Sequence, residues 1–187
     1  MMNLLFIITY SFWFLSELGL NRLLRSKNTD RMNTDKGSLS IIWITIMGSI
    51  AISVIIAMNR TLPISSNLII PYLGLALIIF GIIFRFIAII SLGRFFTVDV
   101  TIRKDHKLKK NGLYRYLRHP SYFAALLSFI GLGVSLNNWI SLLILTIDIT
   151  VVFIFRIKIE EKVLIEQFGS EYIEYKKSTS GLIPFVY

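Results

Sequence analysis

The stretch Gly112-Leu-Tyr-Arg-Tyr-Leu-Arg-His-Pro-Ser-Tyr122 is the most informative part of this chain. It is a basic, aromatic run between two apolar stretches that are each long enough to cross a bilayer. A membrane core explains the apolar stretches, but not Arg118, His119 and Pro120 in succession at the start of a hydrophobic helix. Ionisable groups are costly to desolvate at a membrane boundary. The run therefore indicates either an interfacial anchor or a functional site.

Composition indicates the class of protein. The chain has 187 residues, of which 55% are hydrophobic and 17% charged, whereas about a quarter of the residues in a soluble domain are charged. Because there is no cysteine, disulfides, thiolate metal sites, prenylation and cysteine nucleophiles are excluded. The two histidines, His106 and His119, are too few for a histidine-built metal site. We therefore expect an integral membrane protein without a metal.

Uncharged runs predict five transmembrane helices in an all-α fold, since about 20 residues span the hydrocarbon core. Their expected bounds are 3–24, 39–58, 67–90, 120–135 and 139–155. The first run lacks a basic start and a small-residue cleavage site, so we do not expect a cleaved signal peptide. We expect residues 1–66 to form two anchoring helices without a motif, and residues 67–187 to form the functional core.

The lysines and arginines predict the orientation of the helices. Eighteen of the twenty lie in 21–38, in 91–118 or after residue 155. Because cytoplasmic loops are enriched in basic residues, we expect the N-terminus outside and the C-terminus inside. Contact with anionic lipids accounts for the net charge of +9, so nucleic-acid binding is an unnecessary inference.

A second cluster of ionisable residues follows the fifth predicted helix. Arg156 and Glu160 are four residues apart and share a helix face, with Glu161 beside them. They form either an ordinary helix salt bridge or part of a polar pocket. Helices four and five form a hairpin, so this cluster should lie near Arg118 and His119, which favours the pocket. The tail looks helical to about Lys177, with a break or kink at Gly169.

These residues form four ordered blocks: Gly112-x-Tyr114-x-x-x-Arg118-His119-Pro120-x-Tyr122, Arg156-x-x-x-Glu160-Glu161, Phe168-Gly169-x-x-Tyr172-x-x-Tyr175 and Ile183-Pro184. The pattern resembles the isoprenylcysteine carboxyl methyltransferase family, within the wider set of membrane methyltransferases that includes phospholipid methyltransferases. The resemblance covers about residues 91–187. The compact size suggests a prokaryotic-type member.

The resemblance implies an S-adenosylmethionine-dependent enzyme that methylates a lipophilic or lipidated acceptor at the cytoplasmic face. The loop 91–118 and the C-terminal helix would close a cofactor pocket. The implied cofactor-binding residues are His106, Lys107, Leu108, Lys109, Tyr114, His119, Pro120, Ser121, Tyr122 and Glu160. Arg156 would bind the acceptor, and His119 and Arg156 are the implied catalytic residues. Asp99 would lie at the edge of the pocket.

The chemistry of the acceptor leaves alternatives open. A carboxylate acceptor needs no base, and Arg156 could hold it through its fork of donors. An acidic hydroxyl would need a base, for which His119 is suited. Methylation of a phospholipid amine is less favoured, because a fixed cation repels a protonated amine. A non-catalytic membrane protein with the same fold is the alternative of another class.

Three features inside the apolar stretches have structural interpretations. Gly131 and Gly133 are expected to allow close helix packing. Asp148 either faces a substrate tunnel or pairs with a polar neighbour. Arg85 is expected to extend its charge to the membrane surface by snorkelling.

Overall fold

The computed structural model describes residues 4–25, 37–101 and 106–184. Within these ranges all regular elements are helical, which confirms the all-α prediction. The α-helices are α1 (Leu4–Leu23), α2 (Ser38–Met58), α3 (Ile69–Leu92), α4 (Pro120–Ser135), α5 (Trp139–Phe168) and α6 (Ser170–Lys177). Short 3-10 helices occur at Gly93–Phe95 and Gly112–Arg115.

All five predicted apolar helices are present, and they differ in length. Four of them, α1, α2, α3 and α5, are long and apolar enough to cross a membrane. The fourth in sequence, α4, has only 16 residues, or about 24 Å at 1.5 Å per residue. That is shorter than the hydrocarbon core of about 30 Å. The chain is therefore a multi-pass membrane protein in which α4 is a shorter helix packed among longer ones.

The predicted membrane-spanning helix 139–155 and the first part of the predicted helical tail form one helix, α5. It continues without interruption through 30 residues to Phe168, because its charged continuation contains good helix formers and no proline or glycine. Gly169 then adopts a φ of +56°, a conformation that favours glycine and ends the helix. The predicted break at Gly169 is confirmed. Asn138 caps the other end, where its side chain accepts a hydrogen bond from Ser141 N at 3.0 Å.

Glycines let α3 and α4 pack closely. A Cβ atom on Gly74 would lie 2.3 Å from the backbone nitrogen of Ser135, and one on Gly131 would lie 2.8 Å from the carbonyl oxygen of Gly74. Gly133 of α4 faces the next helix, where a Cβ on it would lie 2.7 Å from the Cα of Leu142 in α5. These contacts confirm the prediction that Gly131 and Gly133 serve helix packing.

A column of polar contacts joins α2 to α5. Ser49 donates to Asp148 Oδ2 at 2.7 Å, and Ser141 donates to the carbonyl oxygen of Ser53 at 2.8 Å. Farther along the two helices, Arg156 donates to the hydroxyl of Ser38. Of the two interpretations of Asp148, the structure shows the pairing with a polar neighbour.

The two ends of the bundle differ in character. One end, which we call the basic end, contains the C-terminal ends of α1 and α3, the described residues 93–101 and 106–119, and α6. The opposite end joins residues 59–68 to the α4–α5 turn, where Trp139 N donates to Leu62 O at 3.1 Å and Asn137 donates to Ser65 O at 2.8 Å. Some of the basic residues used to predict orientation lie outside the described residues: Lys27, Arg31, Lys36, Arg103 and Lys104.

Candidate active site

A cavity lies at the basic end and continues between α1 and α2 into the membrane-spanning part of the bundle. The polar side chains that line it include Asp99, His106, Lys109, Tyr114, Arg118, His119, Ser121, Tyr122, Glu160, Tyr172 and Tyr175. The apolar side chains that line it include Trp13, Phe14, Ile42, Trp43, Ile46, Ile50, Phe129 and Phe153. The cavity is therefore polar toward the basic end and apolar between the first two helices.

The structure brings most of the sequence-predicted site residues together. Nine of the ten implied cofactor residues line this cavity: His106, Leu108, Lys109, Tyr114, His119, Pro120, Ser121, Tyr122 and Glu160. Lys107 is not among the described residues that line it. Asp99, expected at the edge, is buried and lines the cavity as well. The assignment of these residues to a cofactor stays a prediction.

Arg156 lies behind the cavity wall, and it too is not among the described lining residues. It is 1% exposed, and its guanidinium donates to the hydroxyl of Ser38 and to Val98 O, the latter at 2.7 Å. Tyr122 interacts with both Arg156 and Glu160. The arginine is thus one side chain away from the cavity, and it ties α5 to α2 and to the segment before Asp99.

His119 lies between two carboxylates of α5. Its Nδ1 is 3.8 Å from Glu160 Oε2, and its Nε2 is 3.5 Å from Glu161 Oε1. The side chain of Glu160 is 33% exposed and lines the cavity, whereas that of Glu161 is 6% exposed. The successive carboxylates therefore have different surroundings, and only the first is open to a ligand.

Glu161 holds the wall of the cavity together. Its carboxylate accepts from Arg118 Nε at 2.7 Å and from Lys176 Nζ at 2.5 Å. The backbone adds two contacts, from Arg118 N to Ser180 O at 2.9 Å and from His119 N to Gly181 O at 3.2 Å. The end of α5, the start of α4 and the chain after α6 are thereby joined in one unit.

Two cavity tyrosines use their hydroxyl groups to connect elements. Tyr114 donates to Ala88 O at 3.2 Å, and Tyr175 donates to Tyr114 O at 2.5 Å. Burial raises the pKa of Tyr175 to about 12, although the charge of Arg118 opposes the shift. Burial, with the nearby charge of Glu160, also raises the pKa of Tyr114 well above its usual range. Both phenols are neutral donors at physiological pH.

An aromatic stack closes another side of the cavity. The ring of His106 lies parallel to that of Phe95, with centroids 4.9 Å apart and an interplanar angle of 18°. Phe168 meets the same imidazole edge-on at 5.6 Å, and the Arg94 guanidinium lies over the Phe95 ring at 4.8 Å. The Phe95 ring is thus covered by His106 and Arg94, and this side of the cavity is an aromatic wall.

Sequence reasoning missed one ion pair in the cavity wall. Arg85 Nε lies 2.7 Å from Glu17 Oε1, and Arg85 also donates to Ser121 O at 2.8 Å. The expectation that Arg85 snorkels was wrong, because its head group is paired across helices α1 and α3. Both residues are isolated charges next to long apolar runs, and two such charges are a signal for an intramembrane pair.

The fold and the cavity define an all-helical, multi-pass membrane protein with a polar-to-apolar cavity at one end of its bundle. The chain belongs to the isoprenylcysteine carboxyl methyltransferase (ICMT) family, whose sequence model matches residues 73–166. The matched range contains most of the polar cavity wall, from Arg85 to Glu160.

Individual relatives agree with this assignment. The chain is 41% identical over 115 residues to protein-S-isoprenylcysteine O-methyltransferase B of Arabidopsis thaliana, covering 60% of this chain and 58% of that protein. It is 42% identical over 116 residues to protein-S-isoprenylcysteine O-methyltransferase of Saccharomyces cerevisiae, covering 61% of this chain and 48% of that protein. The alignments thus span about half the length of these curated relatives.

A solved structure resembles the whole bundle. It is that of the eukaryotic intramembrane Ras methyltransferase ICMT, with a TM-score of 0.67, 27% sequence identity, and coverage of 96% of this chain and 63% of that one. The relatives named above are eukaryotic isoprenylcysteine methyltransferases. They do not support the expectation of a prokaryotic-type member or the wider likeness to phospholipid methyltransferases.

Proposed function

We propose that this protein transfers a methyl group from S-adenosylmethionine to the carboxylate of a lipidated, isoprenylcysteine-like acceptor. The observation that carries the proposal is the continuity of the cavity. Its polar end is lined by His119, Tyr122 and Glu160, and its apolar end by α1 and α2. One ligand with an ionic head and a long apolar chain could occupy both ends.

The polar end fits the chemistry of the methyl donor, which is a sulfonium with an adenine, a ribose and an amino-acid end. Glu160 provides a carboxylate that can accept from hydroxyl or ammonium groups. His106, stacked on Phe95, provides an aromatic surface for adenine. When bound, S-adenosylmethionine supplies an electrophilic methyl carbon bonded to a positively charged sulfur.

An anionic acceptor would meet two guanidinium groups in the cavity, those of Arg85 and Arg118. Each is paired with a carboxylate in this structure, Arg85 with Glu17 and Arg118 with Glu161, so the acceptor would have to share or displace that partner. An acceptor carboxylate oxygen forms the new bond to the methyl carbon while the carbon–sulfur bond breaks and its electron pair returns to sulfur. No proton moves, so the residues need only align the reactants and exclude water, and alignment supplies most of the rate.

The roles of Arg156 and His119 follow from this proposal. Because Arg156 reaches the cavity through Tyr122, its contact with the acceptor would require its present bonds to Ser38 and Val98 to rearrange. His119 lines the cavity and could act as a base for an acidic hydroxyl acceptor. A carboxylate acceptor leaves His119 the role of holding Glu160 in place.

We also propose that the basic end faces the cytoplasm, with the N-terminus outside and the C-terminus inside. The positive-inside rule supports this orientation, since Arg94, Lys107, Lys110, Arg115 and Arg118 lie at or near that end. The soluble donor would then enter from the cytosol and the acceptor from the inner leaflet. Residues 1–66 would serve as an anchor and also as the apolar wall for the acceptor.

The decisive experiment is a methyl-transfer assay with purified protein in lipid nanodiscs. The probe acceptor is S-farnesylcysteine with a blocked amine and a free carboxylate, and the donor has a radiolabelled methyl group. We expect label in a base-labile methyl ester. The carboxamide of the same compound is the matched control, and it should accept no label.

A second pair of probes tests the apolar end of the cavity. An S-methylcysteine analogue keeps the carboxylate and lacks the long chain, so it should be a poor acceptor. Label that appears only in phospholipid amines would instead assign N-methylation. Binding of S-adenosylhomocysteine without transfer to any carboxylate probe would contradict the proposed acceptor class, and no binding would contradict the methyltransferase proposal.

A further inference from the structure

The three tyrosines that line the cavity near α6 differ in what their hydroxyl groups contact. Those of Tyr114 and Tyr175 donate to backbone carbonyl oxygens. Within the part of the chain that the structure describes, the Tyr172 hydroxyl is buried and has no hydrogen-bond partner. Tyr172 as a whole is 1% exposed, and it lines the cavity.

An unsatisfied buried hydroxyl is costly, by an amount comparable to the desolvation of the group. Native structures seldom keep such a group without a reason, which makes a partner inside the cavity the simplest account. The packing of the Tyr172 ring supports this account. Tyr172 is held edge-to-face against Tyr175 at 5.9 Å, so packing fixes the ring independently of its hydroxyl.

The surroundings of Tyr172 indicate which part of a ligand it would meet. The charges that act on its hydroxyl are those of Glu161, Glu160 and Arg118. Both signs of charge therefore occur here, as a zwitterion requires. The aromatic stack of the cavity is formed by other elements, with Phe95 in the 3-10 helix Gly93–Phe95 and His106 in the chain after it.

We propose that the Tyr172 hydroxyl donates a hydrogen bond to the carboxylate at the amino-acid end of the methyl donor. This inference rests on the proposed function, and it assigns a binding residue at the same site. Glu160 then faces the ammonium group of that end. Burial, with the charges of Glu161 and Glu160, raises the pKa of Tyr172 well above its usual range, so the phenol keeps its proton at physiological pH.

The first test measures stability without any ligand. In Tyr172→Phe the unsatisfied hydroxyl is gone and the ring remains, so the melting temperature should equal or exceed that of the wild type. Tyr175→Phe is the matched control, and it should melt lower because it loses the bond to Tyr114 O. If Tyr172→Phe melts as low as Tyr175→Phe, the hydroxyl is structural and the proposal fails, whatever the enzyme methylates.

The second test compares two ligands by calorimetry. S-adenosylhomocysteine has the amino-acid end, and 5′-methylthioadenosine has the same adenosine and sulfur without it. Because a hydrogen bond to a charged group is involved, Tyr172→Phe should bind S-adenosylhomocysteine at least about 10-fold more weakly than the wild type. Its affinity for 5′-methylthioadenosine should change by less than about 2-fold.

The outcomes separate this inference from the proposed function. Unchanged affinity for S-adenosylhomocysteine in the variant overturns the role of Tyr172 and leaves the methyltransferase proposal standing. Equal weakening for both ligands overturns the assignment to the amino-acid end. A folded wild type that binds neither ligand overturns both proposals.

Discussion

Glu17 of α1 and Arg85 of α3 form an ion pair in the wall of the cavity, with Oε1 and Nε 2.7 Å apart. Their side chains are 21% and 15% exposed. Removing one partner leaves a charge with little water around it, so Glu17→Gln and Arg85→Gln should each destabilise the protein by about 3 kcal/mol. The loss of stability in the double variant should be smaller than the sum of the two single losses by roughly 1–3 kcal/mol.

Thermal unfolding of the detergent-purified protein checks this coupling. Arg22→Gln, at an exposed position of α1, is the control and should change stability by about 0.5 kcal/mol or less. Additive losses in the double variant would show that the two charges act independently.

Glu160 is a partly exposed carboxylate in the polar part of the cavity. If it accepts hydrogen bonds from the methyl donor, Glu160→Gln should bind S-adenosylhomocysteine about 10- to 100-fold more weakly. Glu166→Gln removes an exposed carboxylate from the same helix and should bind normally. Calorimetry on both variants gives the answer, and equal affinity in the two would remove Glu160 from the site.

Glu161 should stabilise the protein because it neutralises the nearly buried guanidinium of Arg118. In Glu161→Gln the nearly buried guanidinium loses its charged partner, at a cost of about 3–5 kcal/mol. In contrast, Lys176 is 46% exposed, so Lys176→Gln should cost about 1 kcal/mol or less. Melting temperatures of the two variants test this order, and a reversed order would contradict the assigned roles.

The close contact between α3 and α4 makes Gly74 sensitive to a single methyl group. Gly74→Ala places a Cβ 2.3 Å from the Ser135 backbone nitrogen, and we expect a loss of about 1–3 kcal/mol from overpacking. Gly48 of α2 has nothing within 4 Å of a built Cβ. Gly48→Ala should therefore be neutral or stabilising by up to about 1 kcal/mol, and equal effects of the two changes on the melting temperature would contradict the packing.

The raised pKa of Tyr175 predicts that the protein loses stability in alkali. Its pKa is about 12 in the folded protein, against the ordinary value of 10.0, so above pH 10 the unfolded phenol ionises first and unfolding releases a proton. The stability that the protonated Tyr175 phenol contributes is therefore complete below pH 10, and it is lost as the pH rises to about 12. Melting temperatures measured across this range should fall less steeply for Tyr175→Phe than for the wild type.

Tyr116→Phe, which removes a phenol that is 62% exposed, is the matched control for that titration. It should keep the wild-type slope between pH 10 and pH 12. A Tyr175→Phe slope that matches the Tyr116→Phe slope would show that burial of Tyr175 does not contribute.

The helices could be predicted from the sequence because charge depletion and helix-ending residues are local properties. The start of α4 follows from Pro120, and the break after α5 follows from Gly169. Helix after residue 155 was predicted, but not that it continues the membrane-spanning helix as one element, because the prediction divided the chain at the end of the hydrocarbon core, which does not end a helix. The charged residues after Phe155 are helix formers in water as well as in lipid.

The site was only partly predictable, since motif residues lie close together in the chain and their partners do not. The likeness of 106–122 and 156–161 to a known family placed most of the polar wall. The pairing of Glu17 with Arg85 and of Arg156 with Ser38 joins residues 68 and 118 positions apart. Such contacts depend on how the helices pack, which hydrophobicity alone does not determine.

The contacts between residues 118–119 and 180–181 have a consequence for biogenesis. The two contacting segments are separated in sequence by the whole of α4, α5 and α6, so this part of the cavity wall can form only after those helices and the chain beyond α6 have been synthesised. Released chains that are truncated before Ser180 keep all the apolar helices, and under the proposed function they should fail to retain S-adenosylhomocysteine. Insertion of the helices and completion of the cavity wall are therefore successive events in the synthesis of this protein.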